Sequence, residues 1–424
     1  MVHVDFAFGK KGLTLGLPDG FEYRVLEPRI ARPLDAPMEA IERAVAPLGE
    51  LARGKKSAAI SVCDITRPVP NRMTLPPLLA QLEKAGIGRD AVTILIATGL
   101  HRPATNAEIC EIVGGEVAGS VRVENHYARN LAEHRYLGKT ASGTPVYIDQ
   151  RFVAADLHIT LGFIEPHLML GYSGGRKLIA PGLAAQETIK VLHSSRFMRD
   201  PLAHEGSIET NPLHHELLEI ARMARHDFLV DVTLGAGKPG GRPITGVFAG
   251  DPVKAHAEGV EWISNVMLER VGEPVDAVIT TAAGYPLDLT FYQAIKGVTA
   301  GSHIVRDGGT ILLLAECGEG SGAAEFTRMF REMGDREFMA HIEGRAVEVD
   351  QWQLEKLAMV TERLNVLWYV PGVPVDLQGK VWGKSFATAE AARDALFAGL
   401  GPEAKVAVIP EGPYVLAQPD CRRM

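Results

Sequence analysis

Residues 57–98, SAAISVCDITRPVPNRMTLPPLLAQLEKAGIGRDAVTILIAT, decide the fold class. They contain two short, continuous apolar runs, 57–63 and 91–98, rich in small and β-branched residues and each followed by polar residues or glycine. Runs without polar alternation read as strands buried on both faces, the habit of parallel sheets. Between them, PLLAQLEKAG (77–86) spaces its leucines for a helix and stops on glycine. Strand, helix, strand is the crossover unit of an α/β sheet. Further strand-like runs lie at 155–161, 228–234, 275–282, 311–315, 364–370 and 406–409, and helical patterns at 214–224, 325–333 and 388–401.

A chain of 424 residues is long enough for more than one core. Gly-Glu-Pro at 272–274 breaks a helical stretch before a fresh strand, which places a boundary near residue 272. The expected organisation is an N-terminal α/β domain, 1–271, and a C-terminal α/β domain, 272–405, with 406–424 open to either. Both carry mostly parallel sheets flanked by helices. Ligands in open α/β sheets bind beyond the carboxyl ends of strands, so the active site is expected in the interdomain cleft.

Hydrophobic residues make up 46% and charged residues 23%, as in ordinary globular proteins, and the net charge is −8. That balance offers neither a basic nucleic-acid surface nor a polybasic membrane patch. Cys63, Cys110, Cys317 and Cys421 lie far apart without CxxC spacing, which fits a reducing cytoplasm. The polar N-terminus does not read as a signal peptide, and no stretch approaches the roughly 20 apolar residues of a membrane span.

Three strand ends carry polar clusters: Asp64-Ile65-Thr66-Arg67-Pro68, Gly99-Leu100-His101-Arg102-Pro103 and Gly162-Phe163-Ile164-Glu165-Pro166-His167. Asp and Thr cap helices and proline ends strands, which is the structural use of such residues. The functional use is a cleft holding two imidazoles, His101 and His167, able to handle protons near neutral pH. Two bases facing one carbon from opposite sides are what a racemase needs.

Next comes GYSGGRKLIAPGLA (171–184), in which Ser173, Gly174 and Gly175 precede Arg176 and Lys177. It is not a phosphate-binding GxxxxGK[ST] loop, because Leu178 follows the lysine. Lys177 suits phosphate pairing or, desolvated beside Arg176, attack on an electrophilic cofactor; a plain loop lysine is the structural alternative. His193, sixteen residues after Lys177, is a candidate metal ligand, although no HExxH spacing accompanies it. In the second half, Tyr292, Gln293 and Lys296 stand where a helix begins, and Gln293 and Lys296, three apart, share a face suited to a substrate carboxylate. Trp352 serves as a pocket wall or as core.

In this order the motifs resemble the nickel-dependent lactate racemase family: Asp64-x-Thr66-Arg67-Pro68, Thr98-Gly99-x-His101-Arg102-Pro103, Pro166-His167, Ser173-Gly174-Gly175-x-Lys177, His193 and Tyr292-Gln293-x-x-Lys296. The resemblance implies a nickel-pincer nucleotide joined covalently to Lys177 as a thioamide, with His193 as the protein ligand to nickel. It implies His101 and His167 as the paired bases, and Asp64, Thr66, Arg67, Gly99, Ser173, Gly174, Gly175 and Arg176 around the cofactor. Tyr292, Gln293, Lys296 and Trp352 would hold a small 2-hydroxy acid, lactate or a sugar acid, whose α-hydrogen moves as hydride through a transient 2-keto acid. Cofactor-biosynthesis enzymes are implied as partners. The competing expectations are a metal-dependent hydrolase or lyase using zinc, and a non-catalytic organic-acid-binding protein.

Overall fold

The computed structural model describes residues 1–235 and 242–420, so Cys421 lies outside the described residues. Two compact units are present. The N-terminal unit comprises Ile30–His193 and Leu202–Val266, and the C-terminal unit comprises Met1–Arg29, Ser194–Pro201 and the chain from Met267 onward.

In the N-terminal unit one six-stranded sheet runs in the order Ile244–Gly250, Phe228–Leu234, Leu157–Phe163, Ala58–Cys63, Val92–Ala97, Arg122–Asn125. All neighbours are parallel except the edge strand Ile244–Gly250, which returns antiparallel to Phe228–Leu234. The order reverses between Ala58–Cys63 and Leu157–Phe163, and such a switch point leaves a crevice at the strands' carboxyl ends. Leu157–Phe163 is buried at every position, including His158 and Thr160, as a central strand covered on both faces requires.

The helix expected over 77–86 is Asn71–Lys84, with Pro76 and Pro77 inside it. Leu75, Leu78, Leu79 and Leu82 make one buried stripe through both prolines. A buried leucine contributes about 1.5–3 kcal/mol, against about 3 kcal/mol for an interior proline. The stripe therefore outweighs the two breaks.

The C-terminal unit holds a second six-stranded sheet, all parallel, in the order Lys384–Ser385, Asn365–Tyr369, Val305–Leu314, Val275–Thr281, Lys405–Ile409, Glu22–Val25. Past the register shift after Val275, Val278 faces one core with Phe291, Phe326 and Trp368, whereas Ala277 and Ile279 face another with Phe6, Leu17 and Leu396. This is the two-sided burial that period-2 side chains give a covered sheet.

The expected domain limits need correction. Lys405–Ile409 pairs with Val275–Thr281 on one side and with Glu22–Val25 on the other, so this strand completes the C-terminal sheet. The same pairing draws Met1–Arg29 into the C-terminal unit, so the first domain begins at Ile30, and the break read near 272 falls at 266/267. Among the described residues no helix is long and apolar enough to cross a membrane.

Candidate active site

The carboxyl ends of the N-terminal sheet are covered by the segment 171–184. Ser61 Oγ, on the first strand, donates to the Leu178 carbonyl at 2.8 Å, and the Gly99 amide donates to the Gly182 carbonyl at 3.1 Å. Ser173 Oγ donates to the Phe163 carbonyl at 2.8 Å and accepts from the Glu165 amide at 3.0 Å. Three strand ends are thus bonded to one loop. Gly174 makes the turn possible, with φ of +86° and no room for a side chain: a Cβ there would lie 2.4 Å from Asp231 Oδ2.

Asp64, first residue past its strand, is buried, and its Oδ2 lies 2.6 Å from His101 Nδ1. Its Oδ1 accepts from the Thr66 hydroxyl at 2.6 Å and the Thr66 amide at 3.2 Å. Arg67 Nη1 donates to the Thr66 carbonyl at 3.1 Å, so Thr66 links Arg67 to the carboxylate. Burial alone raises the Asp64 carboxyl, but hydrogen bonds from His101 and Thr66 and the charges of His101 and Arg67 outweigh it, leaving its pKa lowered. A carboxylate held ionised at His101 Nδ1 fixes the N–H there and leaves Nε2 as the basic nitrogen. The imidazole is 55% exposed, so a substrate can reach it.

His167 pairs through the short bridge Pro166–His167 with Gly171–Tyr172. Its Nδ1 accepts from the amides of Met169 at 3.4 Å and Leu170 at 3.3 Å.

Lys177 lies in the single turn Gly175–Leu178, and its charge reaches both Cys63 and His193. Burial pushes the Cys63 thiol up to about 12 against the pull of Arg67 and Lys177, so it stays protonated. His193 ends the helix Gln186–Leu192; its Nδ1 donates to the Ile189 carbonyl at 2.9 Å. Burial first, then the Lys177 charge, lowers its pKa to about 4 against that hydrogen bond, so the ring is neutral.

Arg176, expected among the cofactor residues, is a buried strut of the loop. It is 2% exposed, donates to the carbonyls of Leu170 and Tyr172 at 3.1 Å each, and lies 2.7 Å from His256 Nε2. Burial pulls even this guanidinium down to about 9.

Under the loop lies Asp231, missed by the sequence reading. Among the described residues no side chain hydrogen-bonds its carboxyl oxygens, and a Cβ on Gly162 would come within 2.7 Å of Oδ1. Burial pushes its pKa up to about 7, against the pull of the Arg176 charge and the nearby Gly175 amide. The unfolded side chain titrates near 3.9, so the folded protein holds the extra proton between those values. Its contribution to stability therefore falls as pH rises from about 4 to about 7 and levels off above that. Asp231→Asn removes this slope: the difference in melting temperature between variant and parent should move in the variant's favour from pH 5 to pH 8. A difference independent of pH would contradict the assignment. The available signal was an acid inside the apolar strand FLVDVTL (228–234), because unpaired carboxylates are rarely fully buried.

In the C-terminal unit Thr290 caps the helix Phe291–Ser302, its hydroxyl accepting from the Gln293 amide at 3.4 Å. The Tyr292 ring meets Phe326 edge-on at 5.1 Å. Gln293 and Lys296 fall one turn apart, and among the described residues the buried Gln293 Oε1 has no hydrogen-bond partner. Trp352 lies on Gln351–Thr361, a helix packed against Phe291–Ser302. Thus Asp64, Thr66, Arg67, Gly99, His101, His167, Ser173–Lys177 and His193 belong to the N-terminal unit, and Tyr292, Gln293, Lys296 and Trp352 to the C-terminal one.

Residues 8–206 match the lactate racemase N-terminal domain and residues 271–417 the lactate racemase C-terminal domain. The chain belongs to the lactate racemase family. It is accordingly an isomerase. Lactate racemase of Thermoanaerobacterium thermosaccharolyticum is 36% identical over 372 residues, covering 85% of this chain and 86% of that one. The lactate racemase of Lactiplantibacillus plantarum is 32% identical over 435 residues, covering 99% and 100%. The lactate racemase apoprotein structure from T. thermosaccharolyticum superposes with a TM-score of 0.90 at 33% identity, over 98% of this chain and 100% of that one. These matches bear out the two-domain α/β expectation and the racemase resemblance. Among the described residues no group of three or more His, Cys, Asp or Glu side chains is arranged to hold a metal ion.

Proposed function

We propose that this lactate racemase family member interconverts the enantiomers of lactate with a nickel-pincer nucleotide attached to Lys177. The observation that carries the reading is His193. With Nδ1 donating to the Ile189 carbonyl, its ring presents Nε2 as a lone-pair donor, the orientation of a metal-binding histidine, within electrostatic reach of Lys177. The residues fit the group: one neutral imidazole for nickel, one amine for the covalent bond, and a glycine turn at a sheet switch point for the nucleotide.

The α-hydrogen of a lactate anion is a very poor acid, because its removal as a proton would place negative charge beside a carboxylate. When bound, the cofactor supplies a hydride acceptor, and the chain's own residues handle the rest. His101, oriented by Asp64, takes the hydroxyl proton on Nε2. His167 is the second imidazole, Gln293 and Lys296 hold the substrate carboxylate, and Tyr292 and Trp352 wall the site. The buried Gln293 Oε1, unpaired among the described residues, supports that assignment, since such an atom needs a partner. Cofactor-biosynthesis enzymes deliver the nucleotide in the cytoplasm, and a larger 2-hydroxy acid such as a sugar acid is the alternative substrate. The test is chiral chromatography of each lactate enantiomer incubated with cofactor-loaded protein. Drift toward an equal mixture from either side supports the reading; unchanged enantiomers alongside conversion of a sugar acid would replace lactate, and no conversion at all would remove it.

A further inference from the structure

Along the helix Phe291–Ser302 every residue is buried except Tyr292, Gln293 and Lys296, the three assigned to the substrate. The amides of a first helical turn have no partners inside the helix, so something outside must fix it. Here the Phe291 amide donates to the Gly320 carbonyl at 2.9 Å and the Tyr292 amide to the Ser321 carbonyl at 3.1 Å. The loop 317–321 that supplies those carbonyls is tied in turn to the residues just before the helix. The Cys317 amide donates to the Asp288 carbonyl at 2.9 Å and the Glu319 amide to the Leu289 carbonyl at 2.8 Å.

These bonds converge on Asp288. Its side chain is 1% exposed, and one oxygen, Oδ2, accepts from the Gly9 amide at 2.6 Å and from the Glu316 amide at 3.1 Å. Gly9 closes a short turn, 7–9, that lies across the carboxyl ends of the C-terminal sheet, and its φ of +48° suits a residue without a side chain. The Ala7 amide donates to the Pro410 carbonyl at 3.0 Å, the Tyr285 amide donates to the Gly9 carbonyl at 2.9 Å, and the Phe8 ring stacks on Tyr369 at 5.6 Å. Pro410 and Tyr285 follow the strands Lys405–Ile409 and Val275–Thr281, between which the order of this sheet reverses. Such a switch point is where an α/β sheet receives ligands.

We infer that Asp288 is the positioning residue of the substrate-carboxylate group: by tying the turn 7–9 to the loop 316–321 it fixes the helix start that presents Gln293 and Lys296. The inference rests on the racemase reading above, which assigns those two residues to the carboxylate. It makes the first residues of the chain a working part of the site, although they touch none of the residues assigned to substrate. Asp288 acts through acceptance of two amides and not through its charge. Without that oxygen both amides lose their acceptor, the loop 316–321 slackens, and Gln293 and Lys296 no longer share one fixed geometry. Binding of substrate then weakens, while the chemistry carried by the N-terminal unit is untouched.

The test compares Asp288→Asn and Asp288→Glu in the cofactor-loaded enzyme, read as KM against kcat for lactate. Asparagine keeps an oxygen at the Oδ2 position, so its KM should stay within about threefold of wild type, whereas glutamate keeps the charge but carries its oxygens one methylene too far and should raise KM about tenfold or more. Nickel content, the added mass on Lys177 and kcat should change little in either. A merely structural residue gives a different pattern, since loss of active protein lowers kcat and leaves KM alone. Asp288→Glu losing kcat at unchanged KM, or Asp288→Asn raising KM as far as Asp288→Glu, overturns the inference and leaves the racemase reading standing. A loaded wild type that converts no lactate sinks that reading instead. Hydrogen exchange of the unloaded full chain gives a second measurement: in Asp288→Glu, residues 289–293 should exchange about tenfold faster or more, with the strand Ala58–Cys63 as protected as in wild type. Unchanged protection at 289–293 overturns the inference even where loading fails. So does loss of protection in both units, because Asp288 would then serve the fold as a whole and not the helix start.

Discussion

Lys177→Arg is expected to abolish racemisation while leaving the fold intact. Arginine keeps the positive charge of the Gly175–Leu178 turn, yet its guanidinium stays protonated and is no nucleophile, so charge and covalent attachment are separated by this one change. If lysine merely paired with a phosphate, arginine would serve as well or better. The covalent reading expects the opposite: intact-protein mass spectrometry of the variant shows the polypeptide mass alone, nickel is lost on desalting, and lactate is not converted. Wild type purified alongside carries the added mass on the peptide containing Lys177. An arginine variant that keeps both nickel and activity would end the covalent assignment.

Asp64→Asn is expected to cost about 10²–10⁴ in kcat, the range for losing a positioned base or its orienting carboxylate. The carboxylate does two things here. It accepts from His101 Nδ1, which leaves Nε2 basic, and its charge, kept ionised by Thr66, His101 and Arg67, steadies the imidazolium that forms in turnover. An asparagine amide turned toward Nδ1 would favour the other tautomer, with hydrogen on Nε2 and no base. Because Asp64 acts through His101, nickel content and KM should change little while kcat falls. A fall in KM-related binding with unchanged kcat would instead make Asp64 a substrate or cofactor contact.

Much of the architecture was legible because it is local. The run 57–63 appears as the strand Ala58–Cys63, and 228–234 as the strand Phe228–Leu234, since a strand buried on both faces is mostly apolar along its whole length. Polar clusters after strand ends were legible for a related reason: at those positions side chains neither fill the core nor continue the ladder. What failed was non-local. Glu22–Val25 is a four-residue edge strand, EYRV, with no apolar run to announce it, and only its pairing with Lys405–Ile409 reveals that the first 29 residues belong with the last sheet. Arg176 reads like its neighbour Lys177 in the sequence, and only its bonds to the Leu170 and Tyr172 carbonyls show that it faces inward. His101 and His167 look alike as letters; the difference lies in which atoms the fold offers to each Nδ1, a carboxylate in one case and two amides in the other.

The central claim is that the stereocentre is erased by moving hydrogen together with its electron pair. The direct measurement is the chiral assay run with lactate deuterated at the α-carbon in ordinary water, with each enantiomer separated and weighed by mass spectrometry. The expected result is deuterium retained in both enantiomers at equilibrium, because a hydride held away from solvent returns to carbon. Product enantiomer carrying solvent hydrogen, with deuterium released to water as racemisation proceeds, would contradict it.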